Sequence, residues 1–483
     1  MESGGIRNTK QTSITKMMTT AQNTYEIRDF LDQYEGLHFC RLEKNGLDYR
    51  RLSIDTRALQ PGDLYIAIKG ENHDGHTFAP QALDKDASAV VVEQTWYEKD
   101  DVILALTGKP VIVVQDSLDF LQRLGAWHRK KFNFPVVGLT GSNGKTTTRE
   151  MIAAILATKF RVFRSEGNKN NHVGLPLMLL RMTEQDEIAV LELGTNHPGE
   201  IGHLSNLAQP TSAVITNIGK GHIGFFGSLN DVYLEKTALF DAMAAGTTLF
   251  QNMEDVYLRK YASPKRKSVT IGFSDRYDIW GRIDSFDELG RAEFLLNGEI
   301  SIQLNIPGRH NFMNALIAAA VGLHYGVSET AIREVLESFQ PASQRMEVFD
   351  KNGILLINDA YNANPNSMAA AVDYLAGLQR NGGKRILVLG DMLELGEFAE
   401  AEHRQLGRYI TEKAIDVVFL YGPESRYVQK AIKEDGSDRV DVFWYKSHEK
   451  IAAHLGKILA ETDVVLFKGS RGMRMEKVLD LLF

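Results

Sequence analysis

The sequence predicts a multidomain α/β protein, and three observations carry that prediction. A chain of 483 residues exceeds what one hydrophobic core normally holds, about 250–300 residues. From Pro135 onward, short apolar runs alternate with segments of helical period. Polar, glycine-rich clusters follow the apolar runs, the order expected of open parallel sheets that bind ligands beyond the carboxyl ends of their strands.

Composition narrows the class. A hydrophobic content of 43% with 24% charged residues is that of folded domains, with neither disordered nor fibrous bias. Lys and Arg are dispersed and the formal net charge is −7, so a nucleic-acid ligand is not expected. The lone Cys40 excludes an internal disulfide framework and a cysteine zinc cluster, in keeping with a reducing cytoplasm. Residues 1–24 read as a polar tail without a leader-like apolar run, and no later stretch approaches a membrane span.

Along the chain, residues 25–114 read as a small α/β unit with a helix near Ile27–Tyr34 and strands Leu64–Ile68, Ala89–Val92 and Val111–Val114. Residues 115–340 form a second unit. In it a helix over Leu118–Lys131 leads to a strand Pro135–Leu139, a glycine-rich turn and a helix Thr146–Lys159. The runs Ile188–Leu193 and Ala213–Ile218 are apolar throughout, like strands of a parallel sheet covered on both faces. In residues 341–483, strands Ile354–Asn358, Arg385–Leu389, Val417–Tyr421, Val440–Trp444 and Val464–Phe467 alternate with helices, which predicts a Rossmann-like doubly wound sheet. The glycine-rich clusters of the last two units then place an active site between two facing sheets.

The strongest local signal runs from Thr140 through Gly141, Ser142, Asn143, Gly144, Lys145, Thr146 and Thr147. Glycines let backbone N–H groups approach phosphate oxygens, the helix adds its positive N-terminus, and Lys145 adds a point charge. Thr146 is placed to hold Mg²⁺ through its hydroxyl. The loop is a shortened P-loop, because Leu139 stands where the strict pattern has glycine. Glu192 and His222 end or follow the next two apolar runs, so both reach the same rim and suit a divalent cation. Taken alone, His222 is a packed loop histidine and Lys236 a lysine on the polar side of an amphipathic helix over Asp231–Met243. Arg345, Asp359, Asn362, Asn364, Lys468 and Arg471 are equally compatible with surface and turn chemistry. Their shared place on the sheet rim is the argument for function.

These motifs in combination resemble the Mur ligases of bacterial cell-wall synthesis, from about Ser53 to the C-terminus. The first unit carries Ser53-Ile54-Asp55-Thr56-Arg57 and Asp74-Gly75-His76, similar to the family's uridine-nucleotide-binding domain. The second carries the phosphate loop, Asn168 to Pro176, Glu192 to His197, and Gly308 to Ala315. The third carries Asp359 to Met368 and Leu389 to Gly396, which resemble the branch that adds D-alanyl-D-alanine. The branch that adds the third amino acid has other motifs there.

The resemblance implies an ATP-dependent amide ligase acting on UDP-N-acetylmuramoyl-tripeptide and D-alanyl-D-alanine. It implies that Lys145 and Thr146 bind triphosphate and magnesium, with two ions expected. Glu192 and His222 are implied as metal ligands, and Asn311, Arg345 and Asp359 as nucleotide contacts. Ser53, Asp55 and Arg57 lie on the uridine side, and Asn362, Asn364, Lys468 and Arg471 on the ligase-domain loops. Lys236 corresponds to the family's carbamylated lysine. Gly224, where members often have Glu, and Glu235-Lys236-Thr237, in place of Ala-Lys-Gly, depart from the pattern. A monomer is expected. A nucleotide-driven switch is the alternative class, and the ligase adding the third amino acid is the alternative enzyme.

Overall fold

The computed structural model describes residues 25–42, 48–49, 51–70, 72–262, 266–378, 382–436 and 439–483. The polar tail expected over residues 1–24 lies outside them. The chain divides into two compact units, one ending at Leu121 and one beginning at Gln122.

The first unit is built on a five-stranded sheet in the order Leu37–Arg41, Val111–Val114, Ala89–Glu93, Leu64–Ile66, Leu52–Ser53. All but the Leu37–Arg41 edge run parallel. The apolar strands are buried on both faces, as their continuous Val, Ile and Leu runs demand. The helix expected near Ile27–Tyr34 is one turn, Arg28–Leu31.

The second unit contains two sheets. The larger has nine strands, with Val136–Thr140 between Ser212–Ile215 and Ile188–Glu192. The chain therefore builds outward from Val136–Thr140 in both directions, and a ligand crevice opens at such a switch point. Helices Lys145–Ala157 and Arg309–His324 cover one face of this sheet, and Glu200–Ala208 and Leu229–Ala242 cover the other. Beyond Thr248–Asn252 and Lys267–Gly272 the sheet ends in an antiparallel extension, Ile279–Phe286, Arg291–Leu296 and Ile300–Pro307. Sequence periodicity did not single out this extension.

The smaller sheet has six strands in the order Glu347–Lys351, Ile354–Asp359, Val464–Lys468, Arg385–Gly390, Val417–Tyr421, Asp441–Tyr445. Five are parallel, and Glu347–Lys351 pairs antiparallel at the edge. In register, Asp359 pairs with Lys468, which brings two charged side chains to the same strand ends.

Candidate active site

Between the two sheets of the second unit lies a cavity of about 660 Å³, lined from one side by residues Ser142–Thr147 and from the other by Asp359, Asn362, Asn364 and Lys468. That size suits a nucleotide-sized ligand. On the central side, Gly144 caps helix Lys145–Ala157 with φ 77°, and Gly141 has φ 148°. A Cβ on Gly141 would stand 1.9 Å from Oγ1 of Thr216, and one on Gly144 2.5 Å from Oδ1 of Asn314. Only glycine fits either position. The loop is braced from behind. Ser142 Oγ donates to Gly219 O at 3.0 Å, Asn143 N–H donates to Oδ1 of Asn217 at 3.0 Å, and Thr216 Oγ1 donates to Asn143 O at 2.6 Å.

Lys145 donates to the carbonyl of Gly141 at 2.8 Å, and packing around its ammonium lowers the pKa. Thr146 Oγ1 donates to Oε2 of Glu192 at 3.0 Å, and Thr147 also faces the cavity. Glu192 is 2% exposed. Its carboxylate further accepts from Arg149 Nη1 at 3.0 Å and Asn170 Nδ2 at 2.9 Å, so the buried charge is satisfied. Sequence reasoning does not single out Arg149 or Asn170 as partners of Glu192. Arg149 stands one helical turn beyond Lys145, and Asn170 lies within Asn168 to Pro176, so both are close to a signal without being predicted by it.

His222 caps the short helix Ile223–Phe226 in a left-handed conformation, φ 58°. Its Nδ1 lies 2.7 Å from Oε2 of Glu394, yet no hydrogen bond to that buried nitrogen has acceptable geometry. Contact with the imidazole holds the Glu394 carboxyl below the usual range. Lys236 is 1% exposed in helix Leu229–Ala242 and lies behind the cavity rather than on its lining. Burial, with Lys145 nearby, pushes its pKa well down. Its neighbour Glu235 is also buried and accepts from the N–H groups of Gly199 at 2.6 Å and Ile201 at 2.8 Å. The Glu235 departure thus holds the first turn of helix Glu200–Ala208.

On the central side, Asn311 Nδ2 of helix Arg309–His324 donates to Pro307 O at 2.7 Å; on the cavity's other wall the Arg345 guanidinium stacks 3.8 Å over the Tyr361 ring. Lys468 Nζ donates to Oδ2 of Asp359 at 2.5 Å and to Asn362 O at 3.1 Å. Asn364 caps helix Pro365–Gly377 in a capping box with Ser367, and its Nδ2 donates to Oδ1 of Asn143 at 2.7 Å. Arg471 lies outside the cavity. It pairs with Glu476 at 3.2 Å and donates to Gln344.

In the first compact unit, Ser53 Oγ accepts from Asp55 N–H at 3.2 Å. Arg57 pairs with Asp55 at 2.7 Å and draws the Asp55 pKa down to about 2. Among the described residues, no group of three or more His, Cys, Asp or Glu side chains is arranged to hold a metal.

Family models match in three stretches: Mur ligase family, catalytic domain, over residues 48–129; Mur ligase middle domain over 139–322; and Mur ligase, glutamate ligase domain, over 344–471. The chain belongs to the Mur ligase family. It has the three-domain α/β fold of these ATP-dependent amide ligases. It is 37% identical over 430 residues to UDP-N-acetylmuramoyl-tripeptide--D-alanyl-D-alanine ligase of Bacillus subtilis (strain 168), covering 88% of this chain and 92% of that one. A crystal structure of MurF from Acinetobacter baumannii matches with TM-score 0.85 and 29% identity, over 95% of this chain and 99% of that one. A MurF ligase from Thermotoga maritima in complex with ADP matches with TM-score 0.78 and 30% identity, over 91% and 98%.

Proposed function

We propose that the chain joins D-alanyl-D-alanine to the terminal carboxyl of UDP-N-acetylmuramoyl-tripeptide, using ATP, in the cytoplasmic synthesis of peptidoglycan precursors. One observation carries the reading. The Asn362–Pro365 turn, similar to that of the dipeptide-adding branch, lies against the phosphate loop through the Asn364–Asn143 hydrogen bond. The name of the Bacillus subtilis relative carries the same two substrates, and the ADP complex of the Thermotoga maritima protein supports nucleotide use.

A carboxylate does not accept an amine unaided, because its leaving group would be oxide and its charge repels nucleophiles. Transfer of the γ-phosphoryl group to a carboxylate oxygen releases ADP and leaves an acyl phosphate. The dipeptide amine then attacks the carbonyl carbon, and phosphate departs as the amide forms. Lys145 and the N–H groups of Gly141–Thr147 hold the triphosphate and offset its charge. Asn311, Arg345 and Asp359 contact the nucleotide, Asn362, Asn364, Lys468 and Arg471 shape the ligase-domain side, and Ser53, Asp55 and Arg57 receive the uridine end.

Magnesium fits the residues present. Thr146 and Glu192 bring a hydroxyl and a carboxylate together at 3.0 Å, and the His222 side chain lines the same cavity. Thr146, Glu192 and His222 are the residues proposed to hold it, with further ligands from phosphate and water as this ion prefers. When bound, it supplies positive charge at the triphosphate and the transferring group. Lys236, with its lowered pKa, holds a larger neutral fraction than a free lysine. The neutral amine is the form that takes up CO₂ to give a carbamate and a proton, and the carbamate would offer an oxygen ligand to a second ion.

Mass spectrometry of the nucleotide product tests the proposal. UDP-N-acetylmuramoyl-tripeptide with D-alanyl-D-alanine and ATP gives the pentapeptide product. Tripeptide formed from the dipeptide precursor and a free amino acid would move the chain to the other branch. ATP hydrolysis indifferent to both peptides would favour a switch.

A further inference from the structure

The segment Lys220–Gly224 leaves the central sheet and enters the neighbouring domain. Ile223 is 6% exposed because it packs in the core of the smaller sheet, with Met392 and Leu395. Gly224 donates its N–H to Glu394 O at 3.0 Å. No side chain fits there, since a Cβ would stand 2.5 Å from N of Gly396 and 2.6 Å from C of Leu395. Two side contacts flank this approach: Lys220 Nζ lies 2.6 Å from Glu402, and its N–H donates to Oδ1 of Asn366 at 2.8 Å. From the opposite side, Glu394 reaches back to within 2.7 Å of His222 Nδ1. His222 and Glu394 both hold left-handed backbones, φ 58° and 65°. Such conformations are uncommon for residues with a Cβ, and they persist where surrounding packing enforces them.

We propose that Glu394 is a positioning residue for His222, delivered by the C-terminal domain, so that docking of the two domains and orientation of the imidazole are one event. A histidine that binds a metal through one nitrogen is commonly held through the other by a carboxylate, which fixes ring orientation and tautomer. The Glu394 carboxylate stands 2.7 Å from Nδ1, close enough to take that side once aligned, and leaves Nε2 to act. Because the carboxylate belongs to the loop that Gly224 touches backbone to backbone, His222 is correctly held only while Gly224 and Glu394 are in contact. The inference rests on the proposed reading of His222 as a magnesium-side residue.

The test uses the full-length chain, Mn²⁺ as the metal and a non-hydrolysable ATP analogue, with bound Mn²⁺ measured by electron paramagnetic resonance. Glu394→Gln weakens Mn²⁺ binding by about 10–100-fold, the usual cost of losing an outer partner of a metal ligand. It lowers kcat alongside, leaves KM for ATP and both peptides within about threefold, and leaves the thermal midpoint of the free protein unchanged. Gly224→Ala forces the loops apart and reproduces the Mn²⁺ defect, and the double variant is no worse than either single one because the two act through one contact. Wild-type Mn²⁺ affinity in Glu394→Gln, with affinity lost in His222→Ala, overturns the proposal alone. Wild-type affinity in His222→Ala overturns the metal reading of His222, and this proposal with it.

Discussion

The two walls of the cavity are both rims of parallel sheets, yet they are built differently. The central wall takes its shape from backbone: glycines at Gly141 and Gly144, held against Thr216 and Asn314 at distances that admit no Cβ. Glu192 on this wall and Lys236 behind it are both buried. The C-terminal wall takes its shape from side chains. Lys468 clamps Asp359 and Asn362 O, and Ser470 Oγ accepts from Leu393 N–H at 2.8 Å and donates to Ala363 O at 3.2 Å. A backbone-shaped wall fails when one atom is added, whereas a side-chain-shaped wall loses its bonds one at a time.

The largest expected effect is therefore on the central wall. Lys145→Ala removes one charge from a preorganised phosphate site and lowers kcat by about 10²–10³. Gly141→Ala does at least as much damage, since the new methyl meets Thr216. Steady-state ligation and circular dichroism on both variants check this. Near-normal turnover in either would mean the loop does not hold the triphosphate.

Next comes Lys236. Lys236→Ala abolishes most activity, and millimolar acetate or formate restores part of it if a carbamate is the working group. A buried amine with a lowered pKa also leaves a signature in stability. Between its folded pKa and its unfolded value near 10.5, the unfolded state binds more protons, so stability rises with pH across that window. Lys236→Met flattens that rise in chemical denaturation between neutral pH and pH 10. An unchanged slope would show that the amine is solvated.

The contrast between the walls also explains what could be read from sequence. The phosphate loop is a contiguous string whose glycines and lysine each have one physical reason to be there, so it was legible without the structure. The parallel strands were legible because burial on both faces makes their runs apolar throughout, as in Ile188–Glu192. The antiparallel extension was not. Arg291–Leu296 alternates half-buried and buried residues, a period-two pattern too short to distinguish from the edge of a helix. Arg149 and Glu394 were missed because each acts on a residue distant in sequence, Glu192 and His222, and only the fold brings them within 3.0 Å and 2.7 Å. Gly224 read as a departure from the family pattern, and it proves to be the point where two backbones touch.

On the C-terminal wall the effects are smaller and separable. Lys468 and Asp359 have side chains 3% and 16% exposed, and Lys468→Met leaves the carboxylate without its partner at a cost of about 3 kcal/mol in stability. Adding Asp359→Asn to it recovers most of that stability, since an amide carries no charge to compensate, while ligation stays impaired. Urea denaturation of both variants beside kcat/KM decides the matter. Recovered stability with recovered activity would reduce the pair to a structural role.

The smallest effect separates the two duties of Asn364. Its Oδ1 accepts from Ser367 N–H at 2.9 Å and caps helix Pro365–Gly377, while its Nδ2 donates to Asn143 at 2.7 Å. Asp is as good a cap as Asn but has no amide to donate, so Asn364→Asp keeps the helix and places a carboxylate against Oδ1 of Asn143. Asn364→Ala loses both bonds. The cap is worth about 1 kcal/mol, and a single neutral hydrogen bond about 0.5–1.5 kcal/mol. Asn364→Asp therefore keeps wild-type thermal stability and loses about 2–10-fold in kcat/KM, while Asn364→Ala loses as much activity and about 1 kcal/mol of stability besides. If Asn364→Asp ligates at the wild-type rate, the bond between the walls does not contribute to turnover.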